Sequence, residues 1–348
     1  MAGSKKAKQF DRRDFLITAG VAGLGTVFSS RFLQFALAAS KSLAPVIVGA
    51  PFQVLMTAPH VIAAKKNYFK EEGLEVQLRD IRTGATVVEA GLAGEVNVGN
   101  SNNFSWIQGV EKGLPQVVFV QTGYEDPKER SLGLLIRKEL WDKGIRDVAG
   151  LKGKTFAVTD VGGFSEIITI ELLKEHGLAR NDVKFVELNY GQQSAAMASG
   201  RLDATVIPDP QFTFVIEKGY GVALKDPKDG NPKYSAGLVT ARHWFGEDYF
   251  PLASTWAVSN FVQKNPETIR AYYRAFAKAV AFIKSNRNEA ARIMADYTKL
   301  QIDVINRISW NGFDPKVPVE KLQVMADKLL EYGAIGKKVR IKDHLFMV

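Results

Sequence analysis

The stretch "APHVIAAKKNYFKEEGLEVQLRDI" (residues 58–81) contains the alternation on which the predicted fold depends. Its first part is typical of a helix that ends at Gly73, and its second part, "LEVQLRDI", is typical of a β-strand. Another β-rich run, "APVIVGA" (residues 44–50), lies just before it. Strand, helix and strand in this order favour a mostly parallel sheet with helices on its faces.

The same alternation continues and then restarts further along the chain. The strand-like run "QVVFVQTGY" (residues 116–124) closes the first block, and "TFAV" (residues 155–158) opens the second. The segments "LAGEVNVG" (residues 92–99) and "ASGRLDAT" (residues 198–205) each place a helix-ending glycine before a short strand. We therefore predict an α/β protein with two doubly wound lobes of similar design.

The last third of the chain is predicted to be helical. A helix is predicted to start at Asn265, Pro266 and Glu267. Asn is a favourable N-cap residue, Pro is accepted in the first turn, and the Glu carboxylate is stabilised by the positive end of the helix. The apolar residues that follow have helical spacing and indicate a core-facing stripe. A second helix is predicted from Pro318 to a stop at Gly333.

Composition excludes several classes of site. The 348 residues include no cysteine, which rules out disulfides, thiolate metal sites and cysteine nucleophiles. The formal net charge of +9 is dispersed rather than gathered in a basic stripe, so no nucleic-acid partner is expected. No run of about 18 apolar residues occurs, which argues against a conventional membrane-spanning helix.

The N-terminal segment is predicted to be a signal peptide covering residues 1–38. A basic region (Lys5–Arg13) precedes a mildly apolar one (Phe15–Phe28), and Ala36–Ala38 supplies a small-x-small cleavage site. The arginine pair at positions 12 and 13, followed by x-Phe-Leu, resembles a twin-arginine export signal. We expect export by the Tat translocase, cleavage after about Ala38 and a periplasmic protein. The alternatives are an ordinary export signal or an N-terminal anchor.

Four fragments, in this order, carry a family likeness: "APHVIAAKKNYFKEEGLEVQL", "AGLAGEVNVGNSNN", "LKGKTFAV" and "LASTWAVSNFVQKNPETIRAYYRAFAKAV". From about Pro45 to about Leu330 the chain resembles the sulfonate, taurine and nitrate branch of ABC-transporter solute-binding proteins. Relatives in that branch bind thiamine-pyrimidine precursors. The resemblance implies a type II periplasmic binding protein fold, in which two hinge strands join the lobes and ligand is trapped between them.

The resemblance also implies boundaries and partners. Lobe I would comprise residues 39–131 and 257–348, and lobe II, with the hinge crossings, residues 132–256. The expected function is the substrate-binding component of an ABC importer, which captures a small organic anion or zwitterion by hinge closure. An ABC permease and ATPase would be its partners. We expect a monomer with no cofactor, no metal and no catalytic residue.

In open α/β sheets, ligands bind outside the carboxyl ends of the strands, and this rule selects the candidate ligand-binding residues. Helix N-termini at these ends suit an anionic head group, and glycines let the backbone approach a ligand. The first lobe contributes Phe52, Gln53, Thr57, Arg82, Thr83, Gly84, Asn100, Ser101 and Asn102; the second contributes Thr159, Gly162, Gly163, Phe164, Ser165 and Asp209; the return hinge contributes Trp256.

Several of these residues have structural alternatives. Thr83 and Ser165 would equally cap helices, and the "NSNN" segment would equally form a solvated turn. Arg82 is either a bidentate clamp for a sulfonate or carboxylate or a surface arginine. Trp256 lies either in the cleft or in the core. Asp209 either accepts from a ligand donor or closes the lobes by accepting a hydrogen bond.

The sequence gives little support for an enzymatic function. The four histidines are scattered, and neither HExxH, G-x-S-x-G nor a P-loop occurs. Some relatives on this fold are pyrimidine-forming enzymes, but their His and Cys cluster requires cysteine. A binder of an aromatic carboxylate or heterocycle remains open if Phe52, Phe164 and Trp256 all face the cleft. A secreted enzyme and a sensor-docking protein remain the alternatives outside the class.

Overall fold

The computed structural model describes residues 43–348, so the predicted signal peptide, its arginine pair and its cleavage site after Ala38 lie outside the described residues. Ten strands form two five-stranded sheets. In chain order the strands are β1 (Val46–Ala50), β2 (Val76–Asp80), β3 (Val98–Asn102), β4 (Gln116–Glu125), β5 (Leu132–Arg137), β6 (Thr155–Val158), β7 (Lys184–Glu187), β8 (Ala204–Pro208), β9 (Gly221–Ala223) and β10 (Phe250–Val258).

The two sheets have the same internal plan. In the first, with the order β2-β1-β3-β10-β4, strands β1, β2 and β3 are parallel and β10 is antiparallel to both of its neighbours. In the second, with the order β7-β6-β8-β5-β9, strands β6, β7 and β8 are parallel and β5 is antiparallel. The predicted α/β architecture with two sheets is confirmed. We call the parts built on these sheets the first lobe and the second lobe.

The helices cover the sheets and continue to the C-terminus. They are α1 (Ala58–Lys65), α2 (Tyr68–Glu71), α3 (Gly84–Leu92), α4 (Asn103–Glu111), α5 (Lys138–Asp142), α6 (Phe164–Glu175), α7 (Tyr190–Ala198), α8 (Gln211–Glu217), α9 (Ala236–Phe245), α10 (Ser259–Lys264), α11 (Pro266–Ser285), α12 (Arg287–Thr298), α13 (Ile302–Arg307) and α14 (Val319–Glu331). The helices predicted from Pro266 and Pro318 are confirmed as α11 and α14. Along residues 43–348, every helix is too short or too polar to cross a membrane.

The return to the first sheet occurs earlier than the boundary at residue 256. Strand β10 starts at Phe250 and lies between β3 and β4, so residues 250–256 belong to the first sheet. All but the last residue of this strand are buried. A strand covered on both faces has no polar alternation, and the sequence therefore did not mark it as a strand.

The chain crosses from the first lobe to the second between β4 and β5, and we call this segment the outward crossing. Glu125, the last residue of β4, fixes its position. Its buried carboxylate accepts hydrogen bonds from the backbone N–H groups of Ser131 at 2.6 Å and Leu132 at 2.7 Å, and from the Ser235 hydroxyl at 2.7 Å. Burial raises the pKa of Glu125. This single side chain thus joins the end of β4 to the start of β5 and to the start of α9.

Candidate functional site

The carboxyl ends of the first-sheet strands bring three of the predicted residues together. A Cβ added at Gly84 would lie 3.1 Å from the Asn102 side-chain nitrogen and 3.2 Å from the Ser101 Cβ. Thr83 caps α3 by accepting from the Thr86 N–H at 3.2 Å, and the Asn102 side chain caps α4. Two helix starts therefore stand side by side at this edge, which is a favourable position for an anionic group.

Two further predicted residues lie exposed near the same edge. The Gln53 amide donates to one Asp80 oxygen at 3.4 Å, and the other Asp80 oxygen accepts from the Phe52 N–H at 2.9 Å. Arg82 is exposed, and along residues 43–348 no carboxylate lies within ion-pair distance of its guanidinium. Both alternatives for Arg82 predict such an exposed guanidinium.

Trp256 lies in the core, not in the cleft. Its ring packs so tightly over two glycines that an added Cβ would lie 2.2 Å from it at Gly99 and 2.6 Å from it at Gly91. The indole N–H donates to the Ser101 hydroxyl oxygen at 3.0 Å. The structure favours the core alternative for Trp256, because both its ring and its N–H are already occupied by the protein.

Phe52 and Thr57 are also fully buried in the first lobe. The Phe52 ring packs at 6.3 Å from the rings of His60 and Tyr297, and the Thr57 hydroxyl donates to the Val54 carbonyl at 2.9 Å. Both residues follow β1 at the edge of the sheet, as their position in the sequence predicted. Their side chains, however, point into the core.

Asn100 belongs to a buried polar chain behind the edge. Its side-chain nitrogen donates to the Thr122 hydroxyl at 2.5 Å, and Thr122 bonds to Thr255 at 2.8 Å. His60 continues the chain through Thr255 at 3.2 Å and through the Tyr272 hydroxyl at 2.8 Å. Burial lowers the pKa of His60 to about 3, so the imidazole is neutral at physiological pH.

In the second lobe, the loop after β6 encloses a carboxylate that the sequence analysis missed. The Thr159 hydroxyl donates to Asp160 at 2.5 Å, and the Thr159 N–H donates to the Ser165 hydroxyl oxygen at 2.8 Å. A Cβ added at Gly163 would lie only 1.3 Å from an Asp160 oxygen, so a larger residue at this position would displace the Asp160 side chain. Gly162 has a φ of +77°, which also favours glycine. An acidic residue two positions after a strand end was the available signal for Asp160.

This loop contacts the first lobe. The Gln108 side-chain amide on α4 donates to the Gly162 carbonyl at 3.2 Å. The Phe164 ring packs against Phe104 at 5.3 Å and against Phe250 at 6.2 Å. Phe164 is therefore a packing residue between the lobes.

Asp209 has no free carboxylate oxygen. One oxygen accepts from the Thr213 N–H at 3.2 Å and from its hydroxyl at 2.7 Å. The other accepts from the Lys233 ammonium and from the Ser309 N–H at 3.0 Å. The structure thus favours the alternative in which Asp209 accepts a hydrogen bond between the lobes.

The sixteen predicted residues therefore divide by exposure. Exposed or half-exposed are Gln53, Arg82, Thr83, Gly84, Asn102, Thr159 and Gly162. Buried are Phe52, Thr57, Asn100, Ser101, Gly163, Phe164, Ser165, Asp209 and Trp256. In the described part of the chain, His, Asp and Glu side chains form no group that could hold a metal ion. The exposed set offers hydroxyl, amide, guanidinium and backbone donors, together with Asp160.

Comparison with known proteins identifies the family. The family model described as "NMT1/THI5 like" matches residues 56–290, which is more than half of the chain. The chain belongs to this family. A putative aliphatic sulfonates-binding protein of Bacillus subtilis (strain 168) is 25% identical over 295 residues, which cover 82% of each chain. A 4-amino-5-hydroxymethyl-2-methylpyrimidine phosphate synthase of Saccharomyces cerevisiae is 26% identical over 245 residues, covering 69% of this chain and 66% of the yeast protein.

Among solved structures, this NMT1/THI5-like chain resembles the alkanesulfonate-binding protein of Xanthomonas axonopodis pv. citri bound to MOPS. The TM-score is 0.69 at 16% identity, covering 88% of this chain and 99% of the Xanthomonas chain. The periplasmic binding protein fold inferred from the sequence is thereby confirmed. The family membership likewise confirms the sequence resemblance, because the relatives include sulfonate-binding proteins.

Proposed function

We propose that the protein is the substrate-binding component of an ABC importer. It captures a small organic anion or zwitterion between the two lobes and delivers it to a membrane permease and its ATPase. The observation that carries this proposal is the contact between the two lobes at Gln108, on the helix that follows β3, and Gly162, in the loop that follows β6. The Bacillus subtilis relative supports the same function.

The chemistry of the two edges favours an aliphatic sulfonate, taurine or a nitrate-like anion. On the first lobe, the starts of α3 and α4 and the Arg82 guanidinium provide positive potential for an acidic group. On the second lobe, Asp160 provides an acceptor for an ammonium or N–H donor. A zwitterionic amino-sulfonate satisfies both edges at once.

A pyrimidine-like heterocycle is the second candidate, and Asp160 is the observation that favours it. A carboxylate at the ligand edge suits the ring N–H and amino groups of such a compound. The similarity to the yeast synthase points to the same chemistry. An aromatic ligand stacked on Phe52, Phe164 and Trp256 loses its support, because all three side chains are buried in packing.

We further propose that the protein binds its ligand without turnover, acts as a monomer and works in the periplasm after export by the Tat translocase. The absence of cysteine supports the first point, because no thiol is available to a mechanism that requires one. The N-terminal arginine pair supports the last point. Replacing Arg12 and Arg13 with lysine should leave the protein in the cytoplasm, and unchanged export would exclude this route.

A thermal-shift screen tests the ligand class. The panel holds taurine, methanesulfonate, nitrate, an aromatic carboxylate and an aminopyrimidine. Binding to the native state alone adds about 2.7 kcal/mol of stability at a hundredfold excess of ligand over Kd. We expect the sulfonates, and taurine above all, to give the largest shift. A shift by the aminopyrimidine alone would establish the second candidate, and silence across the panel would contradict the proposed ligand class.

A further inference from the structure

Asp209 and Ser309 join the two lobes through one hydrogen bond. Asp209 directly follows β8, a central strand of the second sheet. Ser309 belongs to the first lobe, because its neighbour Trp310 is buried in the core of that lobe and Gly312 forms a bridge with Tyr124 on β4. The Ser309 N–H donates to the Asp209 carboxylate at 3.0 Å.

The second lobe holds this carboxylate in place and compensates its charge. Asp209 is 4% exposed, and Lys233, from the same lobe, forms an ion pair with the oxygen that Ser309 contacts. The Lys233 ammonium also stands 4.7 Å from the centre of the Phe212 ring. Thr213 occupies the other oxygen. The intralobe partners thus orient Asp209, and among residues 43–348 one backbone donor, the Ser309 N–H, reaches it from the first lobe.

Two features make the hydrogen bond between Ser309 and Asp209 stronger than a nearby ion pair that also joins the lobes. A hydrogen bond to an ionised acceptor is roughly twice as strong as a neutral one, and burial protects it from water and salt. The nearby ion pair between Arg307 on α13 and Glu217 on α8 spans 2.9 Å and also joins the lobes, but both side chains are about half exposed. Exposed pairs of this kind contribute little because solvent screens them.

We infer that Asp209 is a positioning residue that holds the two lobes against each other at the floor of the cleft. The Asp209 N–H donates to the Ser131 carbonyl at 3.3 Å, which places the contact beside the outward crossing of the chain. Asp209 does not contact ligand in this arrangement; it sets the equilibrium between joined and separated lobes. The consequence for ligand affinity rests on the proposed function, whereas the effect on lobe separation does not.

The experiment measures lobe separation directly, without ligand. Because the chain has no cysteine, Lys284→Cys on the first lobe and Arg201→Cys on the second give two unique spin-label sites, both exposed. Pulsed electron–electron double resonance on the full chain then gives the distribution of distances between the two spin labels. The test variants are Asp209→Asn and Ser309→Pro. Ile308 has an extended backbone (φ −74°, ψ 150°), which suits a following proline, so Ser309→Pro removes the N–H donor without substituting Asp209 or Lys233.

Asp203→Asn is the matched control. Asp203 is also a poorly exposed carboxylate of the second lobe, paired with Arg137 and accepting from the Thr155 N–H at 2.9 Å, but all its partners lie in its own lobe. We expect both test variants to shift the ratio of joined to separated molecules about tenfold towards separation, and the control to leave it unchanged. Should Asp209→Asn fail to fold, Ser309→Pro alone decides.

An unchanged distance distribution in the folded test variants would overturn the inference. Taurine serves as the probe for the functional consequence, since the apparent Kd rises as the binding-competent fraction falls. We expect its apparent Kd to rise by the factor by which the fraction of joined molecules falls. Failure of taurine to bind the unsubstituted protein would count against the proposed function, while the distance measurement would still decide the role of Asp209.

Discussion

The strand-end edges of the two lobes are built from the same topology but present opposite chemistry. On the first lobe, Thr83 and Asn102 cap two adjacent helices and Arg82 stands exposed beside them. On the second lobe, the loop after β6 holds the Asp160 carboxylate beside the hydroxyl groups of Thr159 and Ser165, in close contact with Gly163. Under the proposed function, we expect a cleft whose halves differ in this way to select a ligand with an acidic end and a donor end.

The interiors behind the two edges differ as well. The first lobe places a neutral histidine and a chain of hydroxyl and amide groups behind its edge, through His60, Thr255 and Asn100. The second lobe places the Asp160 side chain in close contact with Gly163. The edge of the first lobe should therefore respond to pH through His60, and the edge of the second lobe should respond to side-chain volume added at Gly163.

Acid should destabilise the first lobe through His60, and this is the largest effect that we expect. Its pKa is about 3 in the folded protein, whereas an unfolded histidine titrates near 6.5. The unfolded state therefore binds the extra proton below pH 6.5, and stability falls by up to about 1.4 kcal/mol per pH unit as the pH drops towards 3. Urea unfolding at a series of pH values measures this fall in the free energy of unfolding.

His60→Gln is the control for this effect, since glutamine keeps hydrogen-bonding capacity without titrating. Glu125 acts in the opposite direction, because its raised pKa gives stability that is present at low pH and lost as the pH rises. The difference between wild type and variant isolates His60. If the unfolding free energies of the two proteins depend on pH in the same way, His60 does not contribute to the loss of stability in acid.

Gly163→Ala should disturb the second lobe at the Asp160 carboxylate. The added Cβ would displace the Asp160 carboxylate, and overpacking of this kind costs about 1–3 kcal/mol of unfolding free energy. We expect ligand affinity to fall along with stability. Gly191→Ala is a suitable comparison, because a Cβ there would meet its nearest atom only at 3.5 Å. Equal stability of the two variants would contradict the packing assigned to Asp160.

Asp160→Asn should change ligand preference rather than abolish binding. Removal of the carboxylate charge is expected to weaken taurine binding about tenfold, because a hydrogen bond to a charged group is worth about 1.5–3 kcal/mol. Methanesulfonate, which has no ammonium group, should bind at least as well as before. Calorimetric titration of both compounds measures the ratio. A uniform loss for both would show that Asp160 does not read the donor end of the ligand.

Thr83→Ala should have the smallest effect. Loss of the cap that accepts from Thr86 is expected to cost about 1 kcal/mol of unfolding free energy. Thr83→Ser retains the oxygen and should restore most of it. If Thr83 also contacts the ligand, sulfonate affinity falls in the alanine variant by more than the change in stability accounts for.

The sequence predicted the frame of the cleft better than its lining. The strand-end rule correctly placed Thr83, Gly84 and Asn102 at one edge, because strand direction and helix starts are local signals. It failed to separate exposed side chains from buried ones: Trp256 and Phe52 follow the same rule but fill the core. Burial depends on which distant glycine or ring lies opposite, and a local pattern does not contain that information.

The same limit explains Asp160 and Asp209. Both follow strand ends in the second lobe, yet Asp160 is half-exposed and Asp209 is enclosed by Lys233 and a backbone donor 100 residues further along the chain. Long-range partners of this kind decide whether a carboxylate is available to a ligand.

Calorimetric titration of the purified protein with taurine, followed by mass spectrometry of the recovered ligand, tests the central claim most directly. The account predicts saturable one-to-one binding, and it predicts that taurine is released chemically unchanged on denaturation. Absence of binding by taurine and by the other sulfonates, or recovery of a converted product, would contradict the proposal of a solute-binding protein for a small organic anion or zwitterion.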